Sequence, residues 1–158
     1  MVPRTTTYAV VAAFVLISAF AVSCGSGGDK PTENTTTPSQ TNAAGTPKPG
    51  MIQPSDVTLG ALDAAVAEKG KTTYDVKCQA CHSLESNRVV GPGWKGITTR
   101  REPHWILNMA VNTDAMLADD PEAQKQLEEC LVRMPNQGLS KTEAREVLEF
   151  MRQNDGVK

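Results

Sequence analysis

The sequence predicts an all-helical domain in its last 100 residues, from Leu59 to Lys158. Three observations lead to this fold class. No window in that region alternates apolar and polar residues with the β-branched enrichment typical of a strand. Apolar residues recur instead at the three- and four-residue spacing of a helix. Several segments also begin with residues that cap helices, so four or five helices account for the pattern.

The first predicted helix runs from about Asp63 to Cys78. Val66, Gly70 and Tyr74 follow at four-residue spacing and lie on one face of it. The glycine within this stripe permits another backbone to approach closely.

The middle helices are predicted from the residues at which they begin. Pro103 suits the first turn of a helix that reaches about Val111, and another short helix begins near Thr113. Asp120 precedes a proline and is the N-cap of a helix that reaches Leu131.

The last predicted helix begins after a capping box, the segment Ser140–Glu143, and ends near Asn154. Its apolar residues recur at helical spacing and form a packing stripe with Phe150 at its edge. They are Ala144, Val147, Leu148 and Met151.

Residues 1–23 have the plan of an export signal, in which a single charge, Arg4, precedes an apolar stretch. The stretch from residue 8 to residue 22 is shorter than the roughly 20 residues that cross a bilayer, so removal is favoured over a membrane anchor. Cleavage after Ala21 competes with a lipobox that would make Cys24 the lipidated first residue. We favour the lipobox, because ordinary cleavage would leave Cys24 as an exposed free thiol.

Residues 24–58 are predicted to be a disordered tether. They are rich in Gly, Ser, Thr, Pro, Asn and Gln, and this composition buries too little apolar surface to offset the entropy of ordering. The expected organisation is therefore an export signal (1–23), a tether (24–58) and a folded domain (59–158).

The composition excludes nucleic acid as a partner and shows that the domain has few aromatic side chains for its core. A net charge of −2, with 16 basic and 18 acidic residues, offers no electrostatic footprint for nucleic acid. The chain has two Trp, two Tyr and three Phe, and three of these seven lie in the first 20 residues. Only four aromatic side chains remain for the domain, so another group is expected to fill part of its core.

The segment Cys78–His82 reads C-x-x-C-H, the pattern at which two thiols bind the vinyl groups of a haem and the histidine binds its iron. Three other interpretations are a redox dithiol, a structural zinc site and a disulfide. A dithiol lacks its βαβ context, and a zinc site lacks a second ligand pair. A disulfide between Cys78 and Cys81 would close a loop too short to contribute much stability. We therefore predict one covalently bound haem c held by Cys78, Cys81 and His82.

The second axial ligand of the iron is sought among the remaining histidine and the methionines of the domain. Met134 lies 52 residues after His82, in a loop that no helical pattern claims, and Pro135 stiffens the backbone beside it. Met134 is therefore the favoured ligand. The alternative, that its side chain only fills a gap in the packing, stays open. The other candidates are His104, Met109, Met116 and Met151.

On these residues the chain resembles the monohaem class I c-type cytochromes, over Leu59 to Gln153. Gly70 and Tyr74 look like the family's helix-contact positions, and Val147 and Phe150 look like their partners on the last helix. The resemblance implies the cytochrome c fold, with crossed N- and C-terminal helices and four to five helices around one haem.

Two loops extend the resemblance. Gly91–Pro92 is similar to the segment whose proline carbonyl accepts a hydrogen bond from the histidine ligand, and Met134–Pro135 is similar to the methionine loop. The resemblance implies that Pro92 orients the ring of His82 and raises its basicity.

Further stretches resemble the membrane-attached lipoprotein cytochromes c of bacterial respiratory chains: Gly91–Ile97, Arg100–Arg101 and Trp105–Ile106. The implied function is electron transfer on the periplasmic side of a bacterial membrane, without catalysis and without a small-molecule substrate. The implied partners are a quinol-oxidising complex and a haem-copper oxidase or other terminal reductase, with the membrane bound through a lipid on Cys24.

Three alternatives to that function remain open. One is a haem sensor or peroxidase-like enzyme in which Met134 dissociates to open the iron. Another is an electron donor to a nitrogen-oxide reductase. The third is an assembly or interaction protein that merely carries haem.

Three more side chains are candidates for contact with the haem propionates: Trp94, through its indole N–H, and Arg100 or Arg101. It is equally possible that Trp94 only packs in the core and that the two arginines only lie on the surface. Cys130 is expected to be a small buried apolar residue. The segment from Lys77 to Arg101 carries five basic residues and one acid, which suggests the hypothesis that it steers docking to an acidic partner.

Overall fold

The computed structural model describes residues 49–158. The predicted export signal, Cys24 and the tether as far as residue 48 lie outside the described residues. Within residues 49–158 the protein has six α-helices, a 3₁₀ turn at Pro54–Asp56 and no strand. The helices are α1 (Ala64–Lys77), α2 (Ile97–Arg100), α3 (Pro103–Val111), α4 (Thr113–Asp119), α5 (Pro121–Cys130) and α6 (Lys141–Asn154).

The predicted all-helical class is confirmed, and the start signals of the helices account for most of their bounds. The Asp63 carboxylate accepts hydrogen bonds from two N–H groups of the first turn of α1, and Asp120 caps α5 in the same way. Ser140 and Glu143 form the predicted capping box of α6. None of the helices in residues 49–158 combines the length and hydropathy needed to span a bilayer.

The α2 helix was not predicted. It has four residues, too few to show periodicity, and it follows Gly96 in the left-handed region at φ 70°. Asp155, at the end of α6, accepts hydrogen bonds from the N–H groups of Gly96 and Thr98, at 2.6 and 2.9 Å. Tertiary contact with the C-terminus therefore holds this turn in place.

The folded part begins earlier than the predicted boundary at Leu59. Ile52 is buried in the core, and its N–H and carbonyl both bond to the side-chain amide of Asn108 in α3, at 2.9 and 2.8 Å. The amide of Asn112 also donates to the carbonyl of Gly50 at 3.3 Å. The last residues of the predicted tether are therefore bound to α3. Composition did not indicate this, because the contact depends on one isoleucine and one asparagine far along the chain.

The pairing of α1 with α6 forms the centre of the fold. Gly70 faces α6, and a Cβ at this position would lie 2.0 Å from the carbonyl oxygen of Glu146. The ring of Tyr74 packs against Phe150 with centroids 5.4 Å apart. The buried face of α1 is formed by Ala67, Gly70 and Tyr74, whereas Val66 is only half buried. The close approach of the two backbones places the C-terminal end of α1 against the core.

A buried ion-pair cluster joins the chain before α1 to α6. Glu149 is 2% exposed and accepts hydrogen bonds from Arg145, from Arg152 and from the N–H of Asp63. Arg152 also donates to the carbonyl of Gly60 at 2.6 Å. Because every charge in the cluster has a partner, its burial is tolerated.

Candidate functional site

The C-x-x-C-H segment continues the turn in which α1 ends. The N–H groups of Cys81 and His82 both donate to the carbonyl of Cys78, at 3.0 and 2.9 Å. This compact turn directs Cys78, Cys81 and His82 into one cavity, which all three line. The empty space of the cavity, including the part open to solvent, is about 1130 Å³. The wall of the cavity is predominantly apolar, as expected of a site that holds a large apolar cofactor.

The ring of His82 is held in one tautomer. Its Nδ1 lies 2.8 Å from the carbonyl oxygen of Pro92, which can only accept, so Nδ1 carries the proton. Burial lowers the pKa of His82, although the hydrogen bond to Pro92 acts in the opposite direction. The imidazole is therefore neutral at neutral pH, and its Nε2 lone pair is free to bind a metal. The structure thus places Pro92 where the family resemblance implied.

The loop after His82 fits tightly around the ring. A Cβ at Gly91 would lie 2.4 Å from Cε1 of His82, so only glycine lets the chain pass beside the imidazole. Tyr74 donates its hydroxyl to the backbone carbonyl of His82 at 2.7 Å. Neither role was predicted for these residues from the sequence. The adjacent Gly-Pro pair was the available signal for Gly91.

The environment of the thiols separates the haem interpretation from its alternatives. Burial raises the pKa of the Cys78 thiol to about 11, whereas a redox dithiol needs a lowered value. Cys78, Cys81 and Cys130 are all free thiols, so the described part of the chain contains no disulfide. Nor do the described residues include a cluster of three His, Cys, Asp or Glu side chains that could hold a metal ion.

The predicted propionate contacts divide into two groups. Trp94 is buried and lines the cavity. Its ring packs against those of Tyr74 and His82, with centroids 5.0 and 5.4 Å apart, and its contact with a propionate stays a prediction. Arg100 donates to backbone carbonyls of its own loop, and Arg101 pairs with Glu122 at 2.9 Å and lies over the ring of Trp105. Neither arginine lines the cavity.

Three of the candidate second ligands line the cavity, and two do not. Met109, Met134 and Met151 contribute to its wall, whereas His104 and Met116 do not. Met151 is buried in the main core cluster, and Met109 packs against the second one. Met134 belongs to neither cluster and lies in the loop between α5 and α6. Of the three methionines that line the cavity, Met134 is the one whose side chain is not packed into a core cluster.

The structure also brings side chains to the cavity that the sequence did not single out. Four of them are polar or charged: Lys77, Gln126, Arg133 and Gln137. Cys130 lines the cavity too and is half buried, where it was expected to be a buried apolar residue. These residues come from α1, from α5 and from the loop after α5, which meet only in three dimensions, so spacing along the chain did not reveal them.

Comparison with known proteins agrees with this geometry. Residues 67–155 match the family model described as "Cytochrome c". This chain belongs to the cytochrome c family. No curated protein sequence matches it. The chain is similar to a cytochrome c from Rhodothermus marinus, with 35% identity and a TM-score of 0.61, covering 63% of this chain and 85% of the other. It is also similar to an engineered cytochrome c from the same organism bound to a carbene intermediate, with 35% identity and a TM-score of 0.58, covering 63% and 86%.

Membership of the family identifies the cofactor as a covalently bound haem c and indicates electron transfer. The residues in the cavity fit this group, because two thiols and a neutral imidazole with a free nitrogen line it together and Trp94 lines the same space. The aromatic content that was low for a domain of this size is consistent with a core completed by the haem.

Proposed function

We propose that this cytochrome c is a single-electron carrier between respiratory complexes, held by a lipid on Cys24 at the periplasmic side of a bacterial membrane. The observation that supports it most is that His82 and Met134 line one cavity. A histidine and a methionine would together hold a haem iron and leave it no free position for a substrate, which favours electron transfer over binding of a substrate.

In this proposal Cys78 and Cys81 hold the haem through thioethers, His82 binds the iron through Nε2, and Met134 binds it through its sulfur. When bound, the haem supplies an iron that alternates between two oxidation states, and a thioether ligand favours the reduced one.

The chain's own residues orient the ligands. The carbonyl of Pro92 keeps the His82 proton on Nδ1, which leaves Nε2 as the donor and prevents rotation of the ring. Trp94, with its ring centroid 5.4 Å from that of His82, supports the same ring and offers its indole N–H to a propionate. The apolar wall of the cavity limits the access of water to the iron.

The attachment to the membrane rests on the N-terminal sequence. Since Gly50 and Ile52 are bound to the folded part, the tether proposed here is Gly25–Pro49, which is 25 residues. A chain of that length has a typical end-to-end distance of about 25–30 Å and a maximum reach of about 90 Å. That reach is enough for a domain to move between two complexes in one membrane.

The test uses the full chain, exported and loaded with haem in a bacterial host. Rapid mixing with a quinol-oxidising complex and then with a haem-copper oxidase should show reduction followed by oxidation, each faster than without the complex. Intact mass of the purified protein should show a diacylglyceryl group on Cys24, and Cys24→Ala should release the protein from the membrane fraction.

Three outcomes would contradict parts of the proposal. Prompt binding of carbon monoxide by the reduced protein at neutral pH would favour a haem sensor or peroxidase-like enzyme. Oxidation by a nitrogen-oxide reductase and not by an oxidase would change the acceptor. A mass that corresponds to cleavage after Ala21 would exclude the lipid anchor.

A further inference from the structure

The exposed apolar side chains of this protein are concentrated beside its haem cavity. Among the described residues the exposed large hydrophobic side chains are Val76, Val89, Val90, Leu131 and Val132. Val90 and Val132 line the cavity, and each of the others is next in sequence to a residue that lines it. Exposed hydrophobic residues scattered singly are ordinary, but a group around one opening indicates a contact surface.

Four of these residues come from two loops that the fold joins. Arg88 donates its guanidinium to the carbonyl of Glu129, which links the loop after His82 to the end of α5. The two valines of the first loop and the Leu-Val pair after α5 thus belong to one side of the cavity. We call this surface the rim patch: Val89, Val90, Leu131 and Val132.

Leu131 is the rim-patch residue that contributes least to the stability of the fold. It is 85% exposed, and it is the non-glycine residue with positive φ among those described, at φ 59° and ψ 9°. Glycine or asparagine is preferred at this C-cap position, because a leucine there strains the backbone. An exposed leucine in a strained conformation contributes nothing to the core, so its apolar surface is available for a partner.

The basic side chains near the cavity have partners within the chain. Lys77 lies 3.9 Å from Glu143, Arg133 bonds to Asp114 at 2.8 Å, and these pairs flank the cavity. Farther along the basic segment, Lys95 pairs with Glu85 and Arg101 with Glu122. Two acids from outside the segment Lys77–Arg101, Glu143 and Glu122, therefore offset half of its excess of four positive charges, which weakens long-range steering.

We propose that the rim patch is the docking surface for a redox partner protein that presents an apolar, uncharged surface around its own cofactor. This inference rests on the proposed electron-carrier function, which requires a partner to approach the haem closely. The rim patch is apolar, and the two basic side chains that line the cavity, Lys77 and Arg133, are paired with acids, so the complement of this surface is apolar and uncharged. Release of water from the four side chains then stabilises a short-lived complex that salt does not weaken.

The test uses two coated gold electrodes as probes. A methyl-terminated alkanethiol monolayer represents the apolar partner, and a carboxylate-terminated one represents an acidic partner. All proteins are haem-loaded full chains with Cys24→Ser, so that no lipid carries them onto the monolayer. The adsorbed mass is measured with a quartz crystal microbalance and the interfacial electron-transfer rate by voltammetry.

The protein with an unsubstituted rim patch should adsorb more strongly on the methyl surface than on the carboxylate surface. It should remain adsorbed at about 0.5 M salt, where the Debye length is roughly 4 Å. Leu131→Asn combined with Val89→Thr should lower both the adsorbed mass and the rate on the methyl surface by about fivefold or more. Leu131→Asn alone should not lower the melting temperature, because asparagine tolerates positive φ. Ala65→Ser is the control, since it lies at the far end of α1, about 20 Å along the helix from Cys78.

Several results would overturn the docking inference. One is stronger adsorption on the carboxylate surface that is lost at high salt, which would indicate an acidic partner. Another is a dimer in sedimentation that Leu131→Asn dissociates, which would make a second copy the occupant. A third is binding to neutral phospholipid vesicles that the same substitution abolishes, which would make the membrane the occupant.

Failure of this inference is distinguishable from failure of the proposed function. If hexacyanoferrate cannot reversibly oxidise and reduce the haem-loaded chain in solution, the electron-carrier function fails. If it can, but the rim-patch variants adsorb as the unsubstituted protein does, only the docking surface is wrong.

Discussion

Gly70 and Glu146 bring the backbones of α1 and α6 into contact: a Cβ on Gly70 would lie 2.0 Å from the Glu146 carbonyl oxygen and 2.9 Å from the N atom of Val147. Backbone atoms cannot move aside as the end of a side chain can. The haem-binding turn begins where α1 ends, so the close contact of α1 with α6 also positions that turn. The packing of α1 against α6 therefore helps to position the haem-binding residues.

Gly70→Ala should lower the free energy of unfolding of the haem-loaded protein by about 2–3 kcal/mol, because the two helices must separate to admit the methyl group. Guanidinium unfolding followed by absorption of the haem measures it. Gly60→Ala is the matched control, since nothing lies within 4 Å of its Cβ position, and its change should stay within about 0.5 kcal/mol. Equal effects of the two substitutions would contradict the close contact.

Met134→Ala should remove the methionine-to-iron absorption band of the oxidised protein and lower the reduction potential, because the proposed axial thioether is lost. Met109→Leu and Met151→Leu are the controls. Both residues line the cavity but pack in core clusters, so their replacement should keep the band. A band that survives Met134→Ala would move the ligand to another residue.

Tyr74→Phe should destabilise the haem-loaded protein by about 1 kcal/mol, because the carbonyl of His82 loses the hydroxyl that donates to it at 2.7 Å. The ring contacts of Tyr74 with Trp94 and Phe150 remain, so the spectrum should not change. Thermal unfolding compared with the unsubstituted protein measures the effect. Loss of the normal axial spectrum would show a larger role for the hydroxyl than one hydrogen bond.

Glu149 should make stability depend on pH. Burial alone would raise the pKa of its carboxyl, but the hydrogen bonds from Arg145, the N–H of Asp63 and Arg152 outweigh burial, so the pKa is lowered. A lowered folded pKa contributes stability that is complete above the unfolded value, near 4.5, and is lost as the pH falls through the folded value.

Glu149→Gln should therefore cost about 3 kcal/mol at neutral pH, because two arginines lose a buried partner, and the difference from the unsubstituted protein should shrink in acid. Thermal unfolding across the acid range measures both. The control is Glu85→Gln, which removes an exposed pair with Lys95 and should cost less than about 1 kcal/mol. A difference that stays constant with pH would contradict the assigned pKa direction.

Removal of the haem should abolish cooperative unfolding of the domain. The cavity that Cys78 and His82 line is large, and the chain supplies few aromatic side chains to fill it. Calorimetry of the full chain with Cys78→Ala and Cys81→Ala, which prevents attachment, measures it. A sharp transition in that variant would show that the core is complete without the cofactor.

Local sequence determined five of the six described helices and the cofactor. Ser140 and Glu143 cap α6 through hydrogen bonds between residues three apart. The C-x-x-C-H segment forms a single turn through its own backbone hydrogen bonds. Both features depend on neighbouring residues, so the local sequence is enough to predict them. Pro92 was placed by resemblance to a family, and its carbonyl does lie 2.8 Å from His82. These features could be predicted because they involve short distances along the chain.

Tertiary structure alone decided which side chains share a surface. Ile52 was expected in the tether, but it bonds to Asn108, 56 residues away. Arg101 was a candidate for the haem, but Glu122 pairs with it at 2.9 Å. Acids from other segments likewise offset half of the basic excess between Lys77 and Arg101, and Leu131 joins Val89 and Val90 only after folding. The physical reason is that charge pairing and apolar clustering act through space, and spacing along the chain does not encode those distances.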